Sequence, residues 1–127
     1  MIYHPQALVV TPQFITTPMP TTPNTLTALL SFRNDRDWAQ FHNPKDLAIA
    51  LSIESGELLE AFLWKKAEDA DIEKVKEELA DIFAYALLLT HHYELNIDEI
   101  VLDKIKKNEL KYPVEKAKGT AKKYDEL

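Results

Sequence analysis

Four carboxylates stand where two helices should be apolar. Over residues 44–66 the apolar spacing predicts a buried stripe through Leu47, Ala50, Leu51, Leu58, Ala61 and Phe62, and Glu54 and Glu57 fall within it. Three residues turn a helix by about 300°, so these two side chains lie about 60° apart on one face. Over residues 72–94 a second stripe runs through Val75, Leu79, Ile82, Ala86 and Leu89. Glu78 lies on that face, and Asp81 borders it beside Tyr85 and Leu88. Acids facing one another in a dry interior must protonate, find basic partners or hold cations, because an unpaired buried charge costs several kcal/mol. Between positions 54 and 81 there are ten acids and only four lysines. Hard oxygen ligands at this density suit Mg²⁺ or Mn²⁺. Either pair alone reads as an ordinary solvated helix face. Two pairs on neighbouring helices, both in phase with the apolar stripe, favour a metal site. A di-iron bundle would need Glu-x-x-His pairs. Here Glu57 is followed three on by Glu60 and Glu78 by Asp81, and the only adjacent histidines, His91 and His92, close the second stripe.

The elements that must position these acids are helical almost throughout. A first helix is predicted from Thr25 to Phe41, with Leu26, Leu29, Leu30, Trp38 and Phe41 at helical spacing. Asn43-Pro44 supplies an N-cap and a first-turn proline, opening a second helix that continues to Lys66. After the polar link Glu68-Asp69-Ala70-Asp71, a third helix runs from Ile72 to Glu94. Asn96-Ile97-Asp98-Glu99 reads as a capping box and starts a fourth, which must stop before Pro113. The expected fold is all-α, an antiparallel four-helix bundle with short connections. It falls into a Pro/Thr-rich arm (1–24), a helical domain (25–113) and a Lys-rich, loosely held tail (114–127). The arm holds five of the seven prolines, and no charged residue precedes Arg33. It is either a free tail or an extended arm packed on its own or a neighbouring subunit.

Composition removes several function classes. The net charge is −6, which argues against a surface built to coat nucleic acid. With no cysteine, disulfides, thiolate zinc sites and thiol nucleophiles are excluded. Gly56 and Gly119 are the only glycines, too few for a glycine-rich phosphate loop. The longest apolar runs, such as Ile82 to Leu89, are far too short to span a membrane, and the first residues lack the basic-then-apolar order of a signal peptide. A cytoplasmic protein with no membrane or nucleic-acid partner is expected.

Beyond the acids, one segment is distinctive. Phe32-Arg33-Asn34-Asp35-Arg36-Asp37-Trp38-Ala39-Gln40-Phe41-His42-Asn43-Pro44-Lys45-Asp46-Leu47 resembles the N-terminal motif of the dCTP pyrophosphatases, a branch of the MazG-like all-α nucleoside triphosphate pyrophosphohydrolases. The likeness continues through Glu54-Ser55-Gly56-Glu57-Leu58-Leu59-Glu60 and Glu77-Glu78-Leu79-Ala80-Asp81-Ile82, then Asn108, Lys111-Tyr112-Pro113 and Lys122-Lys123-Tyr124. The resemblance implies Mg²⁺-dependent cleavage of the α–β phosphoanhydride, turning dCTP or a modified dCTP into dCMP and pyrophosphate. It assigns the metal to Glu54, Glu57, Glu78 and Asp81, with Glu54 or Glu57 helping to deprotonate the attacking water. It gives base recognition to Trp38, His42 and Trp64. Trp38 and His42 are four apart near the predicted end of the first helix, which would place them on one face.

The same resemblance assigns phosphate and sugar contacts to Lys104, Asn108, Lys111 and Tyr112, the first three forming one stripe of the fourth helix. Where the family carries an Arg-rich run before Tyr-Pro, this chain has Asn108-Glu109-Leu110-Lys111, and lysine lacks the bidentate fork of arginine. The resemblance further implies a homo-oligomer, dimer or tetramer, in keeping with more apolar surface than one small bundle can bury. Two alternatives stay open: the same chemistry on another nucleotide such as dUTP, and a non-catalytic helical interaction module.

Overall fold

The computed structural model describes residues 22–127, with side chains from residue 25. Residues 1–21, most of the Pro/Thr-rich arm, lie outside the described residues. The described chain is all-α, with no strand.

The first helix, α1, spans Thr22–Asp35, ending six residues before the predicted limit. Arg36 N–H and Asp37 N–H close tight turns onto the carbonyls of Arg33 and Asn34, at 3.3 and 3.0 Å. Asp37 then turns left-handed, with φ 54°. Short acidic and amide side chains tolerate that region and compete with the helix for backbone hydrogen bonds. Gln40 secures the turn by donating to the Asp37 carbonyl at 2.9 Å and to its carboxylate at 3.0 Å. Trp38–Phe41 follow as a single 3-10 turn. Trp38 and His42 therefore do not share an α-helical face. They occupy the two ends of this turn, and His42 closes it with its backbone N–H on the Ala39 carbonyl.

Helix α2 spans Pro44–Glu60. Its start is as predicted: Pro44 occupies the first turn, and the Asn43 side chain accepts from Asp46 N–H at 3.0 Å. Its end comes before Lys66. The N–H groups of Ala61, Phe62 and Leu63 bond three residues back, and Trp64 goes left-handed at φ 60°. After a 3-10 turn at Ala67–Asp69, Asp71 caps α3 (Ile72–His92) by accepting from Glu73 N–H at 3.0 Å. Helix α3 ends two residues earlier than predicted. Glu94 takes the left-handed position at φ 54°, and Leu95 N–H reaches back to the Thr90 carbonyl at 2.9 Å. This is a Schellman closure made without glycine. Asn96 caps α4 (Ile97–Lys111) by accepting from Glu99 N–H at 3.1 Å. The short α5 (Val114–Ala117) and a last 3-10 turn at Tyr124–Glu126 complete the chain.

Helices α2 and α3 pack as an antiparallel hairpin, α1 lies against α3, and α4 makes at most light contact with any of them. Glu54 meets Asp81 and Glu57 meets Glu78 across the hairpin. Two helical turns away from that pair on each helix, the same register brings Leu47 level with Leu88, and both are buried. Among the described residues, the buried apolar side chains are these two, Ala61 and Leu87. Leu47→Ala should therefore remove a large share of the core and cost about 2–5 kcal/mol. Denaturant unfolding checks this, as a lower midpoint with an unchanged slope. Ile53, Leu59, Phe83 and Leu102 each keep more than half their surface exposed, so the single chain leaves wide apolar faces open.

Candidate active site

Helix α2 delivers Glu54 and Glu57, and α3 delivers Glu78 and Asp81, at the middle of the hairpin. One oxygen each from Glu54, Glu78 and Asp81 lies within 4.8 Å of the others. Glu57 stands at the edge of this trio, solvent-exposed, with its carboxyl in hydrogen-bond contact with Glu54 and Glu78. The cluster is charged against itself. The contact with Glu57, then burial, then the charges of Glu57, Asp81 and Glu78 push the Glu54 carboxyl up to about 7. Burial, followed by the Glu57 charge, raises Glu78 as well, with Lys74 pulling the other way.

Among the described residues, no lysine or arginine forms an ion pair with the group. The ion pairs among the described residues are Glu73–Lys76 and Asp103–Lys106, both on exposed surface. Oxygen Oε2 of Glu54 is buried without a hydrogen-bond partner. A buried acceptor left unsatisfied is costly, and a divalent cation is the partner that three convergent carboxylate oxygens suit. The donor set therefore fits a hard dication.

Beside Asp81 opens a cavity of about 270 Å³ between α1, the 3-10 turn and α3, with Phe32, Arg33, Trp38, His42 and Tyr85 in its walls. Two edge-to-face pairs fix its aromatic lining: Phe32 with Trp38 at 5.7 Å and His42 with Tyr85 at 6.4 Å. The Arg36 guanidinium sits 3.8 Å from the centre of the Phe32 ring and holds it from outside. Burial, then the Arg33 charge, lowers the pKa of His42, favouring neutral imidazole, and its Nδ1 is buried without a partner. Burial and the charges of Glu54 and Asp81 raise the Tyr85 phenol, keeping it a protonated donor.

Of the residues singled out in the sequence, Trp38, His42 and the four acids come together. Trp64 does not join them: it is 95% exposed, past the far end of α2. Helix α2 is 17 residues long, about 25 Å, and separates it from His42 at the near end. A bulky left-handed residue carries about 1–3 kcal/mol of backbone strain. Lys104, Asn108 and Lys111 remain on α4, outside the walls of this cavity. Lys111 lies over the Tyr124 ring at 5.1 Å, and Tyr112 packs edge-on against the same ring at 6.1 Å. The cavity adds Arg33, Phe32 and Tyr85, which the sequence reading did not single out as site residues. The available signal was spacing, since Tyr85 is one turn beyond Asp81 and Phe32 one turn before Arg36.

No helix among the described residues is long and apolar enough to cross a membrane. Comparison with known proteins agrees with the geometry. The MazG-like family matches residues 49–127. Cattle (Bos taurus) dCTP pyrophosphatase 1 is 38% identical over 104 residues, 76% of this chain and 62% of that protein. The human (Homo sapiens) protein of the same name is 32% identical over 123 residues, 91% of this chain and 72% of its own length. The chain thus spans about three fifths of the bovine relative and more of the human one. A crystal structure of a pyrophosphatase from Archaeoglobus fulgidus superposes with a TM-score of 0.66 at 42% identity, covering 72% of this chain and 91% of that one. On these grounds the chain belongs to the MazG-like family, in the branch of the dCTP pyrophosphatases.

Proposed function

We propose that this protein is a Mg²⁺-dependent nucleoside triphosphate pyrophosphohydrolase that converts dCTP, or a base-modified dCTP, to dCMP and pyrophosphate. The observation that carries this reading is a pocket of base size opening directly off an oxygen cluster that could hold a dication. The bovine and human relatives are dCTP pyrophosphatases by name, which supports the choice of base. Such an activity would remove unwanted triphosphates from the nucleotide pool, and a cytoplasmic location is part of the same proposal.

Glu54, Glu78 and Asp81 would hold the Mg²⁺, with Glu57 at its edge. When bound, the ion neutralises triphosphate charge and acidifies water near the scissile phosphorus. The remaining work falls to the chain's own groups. Trp38 offers a ring face for stacking, and His42 offers a buried, unpaired Nδ1 to the edge of a pyrimidine. Glu57 is solvent-exposed, and its carboxyl accepts the proton that water loses as it attacks. Lys104, Asn108, Lys111 and Tyr112 would contact phosphates and sugar, and Trp64 the base.

The last two assignments require a second copy, because within one chain Trp64 lies a helix length from the base pocket and α4 stays outside it. The exposed apolar faces of α2, α3 and α4 support a homo-oligomer, a dimer or a tetramer, with sites completed between subunits. Light scattering should give a mass at least twice the 14.6 kDa of one chain. A monomer at micromolar concentration would remove Trp64 and the α4 stripe from the site.

The direct test is pyrophosphate release from a panel of deoxynucleoside triphosphates with Mg²⁺. dCTP should be preferred over dUTP, dTTP and the purines, and chelation should stop the reaction. Absence of turnover with every nucleotide sinks the reading. Trp38→Ala should raise KM about 5- to 150-fold with a smaller change in kcat, from the loss of about 1–3 kcal/mol of stacking.

A further inference from the structure

The base pocket does not end at the base. The residues of α3 that line it, Asp81, Tyr85 and Leu88, are followed one and two turns on by His91, His92 and Leu95, which line a second cavity of about 560 Å³. The two cavities share Arg33, His42 and Leu88 as walls. They adjoin across these three residues, between α1 and α3, in a line from the acids past the base pocket to the C-terminal end of α3. From Asp81 to His91 is ten residues, about 15 Å along the helix, so the second cavity lies on the side of the first away from the acids.

Its chemistry differs from that of the pocket. Arg33 donates through Nε to the Asn34 side chain at 3.1 Å, and no carboxylate among the described residues pairs with its guanidinium. His91 and His92 add ring nitrogens, and Glu94 adds a carboxylate at the rim. The lining thus holds both donors and acceptors. A bare anion is a poor occupant, since Glu94 and the carbonyl end of α3 both oppose it. A neutral group rich in hydroxyls, able to accept from Arg33 and donate to Glu94, satisfies both sides.

We propose that this vestibule is an extension of the substrate site that accepts a bulky, hydroxyl-rich group carried on the base. The inference rests on the nucleotide reading above and deepens it. A pyrimidine seated between Trp38 and His42, with its phosphates toward Glu54 and Asp81, turns the edge opposite its sugar, carrying the C4 and C5 groups, toward Arg33 and His91. The polar lining then selects among extensions: a hydroxylated one keeps its hydrogen bonds, whereas an apolar one of similar reach strips water from Arg33 and Glu94 without replacing it.

The test compares three substrates with Mg²⁺: dCTP, dCTP carrying a glucosyl group on a 5-hydroxymethyl, and 5-phenylethynyl-dCTP. The glucosylated nucleotide should be used within about tenfold of dCTP in kcat/KM, and the phenylethynyl one more than about tenfold worse, with the difference in KM. His91→Trp, which narrows only the vestibule, should cost the glucosylated substrate at least about tenfold and leave dCTP nearly unchanged. Turnover of dCTP with rejection of the glucosylated substrate overturns the vestibule and leaves the parent reading standing. So does equal use of both extensions, or a His91→Trp effect that falls alike on plain and extended substrates. Failure of all three nucleotides overturns the parent reading, and the vestibule with it. The wild-type comparison stands alone if the variant does not fold.

Discussion

Glu54→Gln will abolish catalysis and at the same time stabilise the metal-free protein. The two effects have one cause. In the metal-free fold the Glu54 carboxyl, ordinarily near 4.5, is pushed up to about 7 by the hydrogen-bond contact with Glu57, by burial, and by the charges of Glu57, Asp81 and Glu78. Between those two values the folded state holds a proton that the unfolded chain has lost, so unfolding releases it and stability declines as pH rises. The contribution is complete below about pH 4.5 and gone above about pH 7. Glutamine keeps the shape and removes the charge. After allowance for solvent screening, the relief is about 1 kcal/mol at pH 8, or roughly 3–5 °C in Tm. The amide is also a poor ligand for a dication, so thermal protection by millimolar Mg²⁺ should vanish and kcat/KM should fall by at least about 10³-fold. Melting curves from pH 5 to 8, with and without Mg²⁺, together with pyrophosphate release, read all of this at once. The wild type should show a falling metal-free Tm across that range, flattened by Mg²⁺, whereas the variant should be flat and insensitive to the ion. A variant that melts lower than wild type without metal would make Glu54 a structural residue.

That behaviour follows from a feature legible in the sequence, where other parts of the site are not. The acids were readable because two periodicities had to agree: Glu54 and Glu57 fall in one apolar stripe, and Glu78 falls in the next with Asp81 at its border, so antiparallel packing of the two stripes in this register brings them together. The caps at Asn43 and Asn96 were readable because capping is local chemistry, settled within four residues. The ends of α1 and α2 were hidden. Phe62-Leu63-Trp64 continues a helix-like apolar rhythm, and nothing in side-chain type announces that Trp64 adopts φ 60°. Asp37 is equally silent, although its left-handed turn is what swings Trp38 and His42 over α3. Arg33 and Tyr85 were hidden for a different reason. An arginine in a polar run resembles solvent surface, and a tyrosine in a stripe resembles core. Only the cavity between them gives them a purpose. The stripe Lys104, Asn108, Lys111 was legible as a stripe but not as a location, because where α4 docks is not written in its own residues.

The second large effect separates the proton acceptor from the ligands. Glu57 touches Glu54 and Glu78 through its carboxyl but contributes no oxygen to the convergent trio, and it faces solvent. A group so placed can take a proton from water beside the cluster and pass it outward. Glu57→Gln should therefore lower kcat by about 10²–10⁴-fold, the usual worth of a positioned general base. KM should change little, because Trp38, His42 and the oxygen trio still hold the nucleotide. Thermal protection by Mg²⁺ should survive within a few-fold of wild type, in contrast to Glu54→Gln. Losing the Glu57 carboxyl also removes the leading cause of the Glu54 shift. The metal-free Tm of this variant should accordingly fall less steeply with pH than that of wild type. These readouts respond to different roles: kcat to the proton acceptor, Mg²⁺ protection to the ligand, and the pH slope to the carboxyl contact. If Glu57→Gln loses Mg²⁺ protection as completely as Glu54→Gln, then Glu57 belongs among the metal ligands, and the proton must leave through another carboxylate of the four. Should kcat survive with protection intact, water is deprotonated without help from α2, and the division of labour proposed for the two glutamates is wrong.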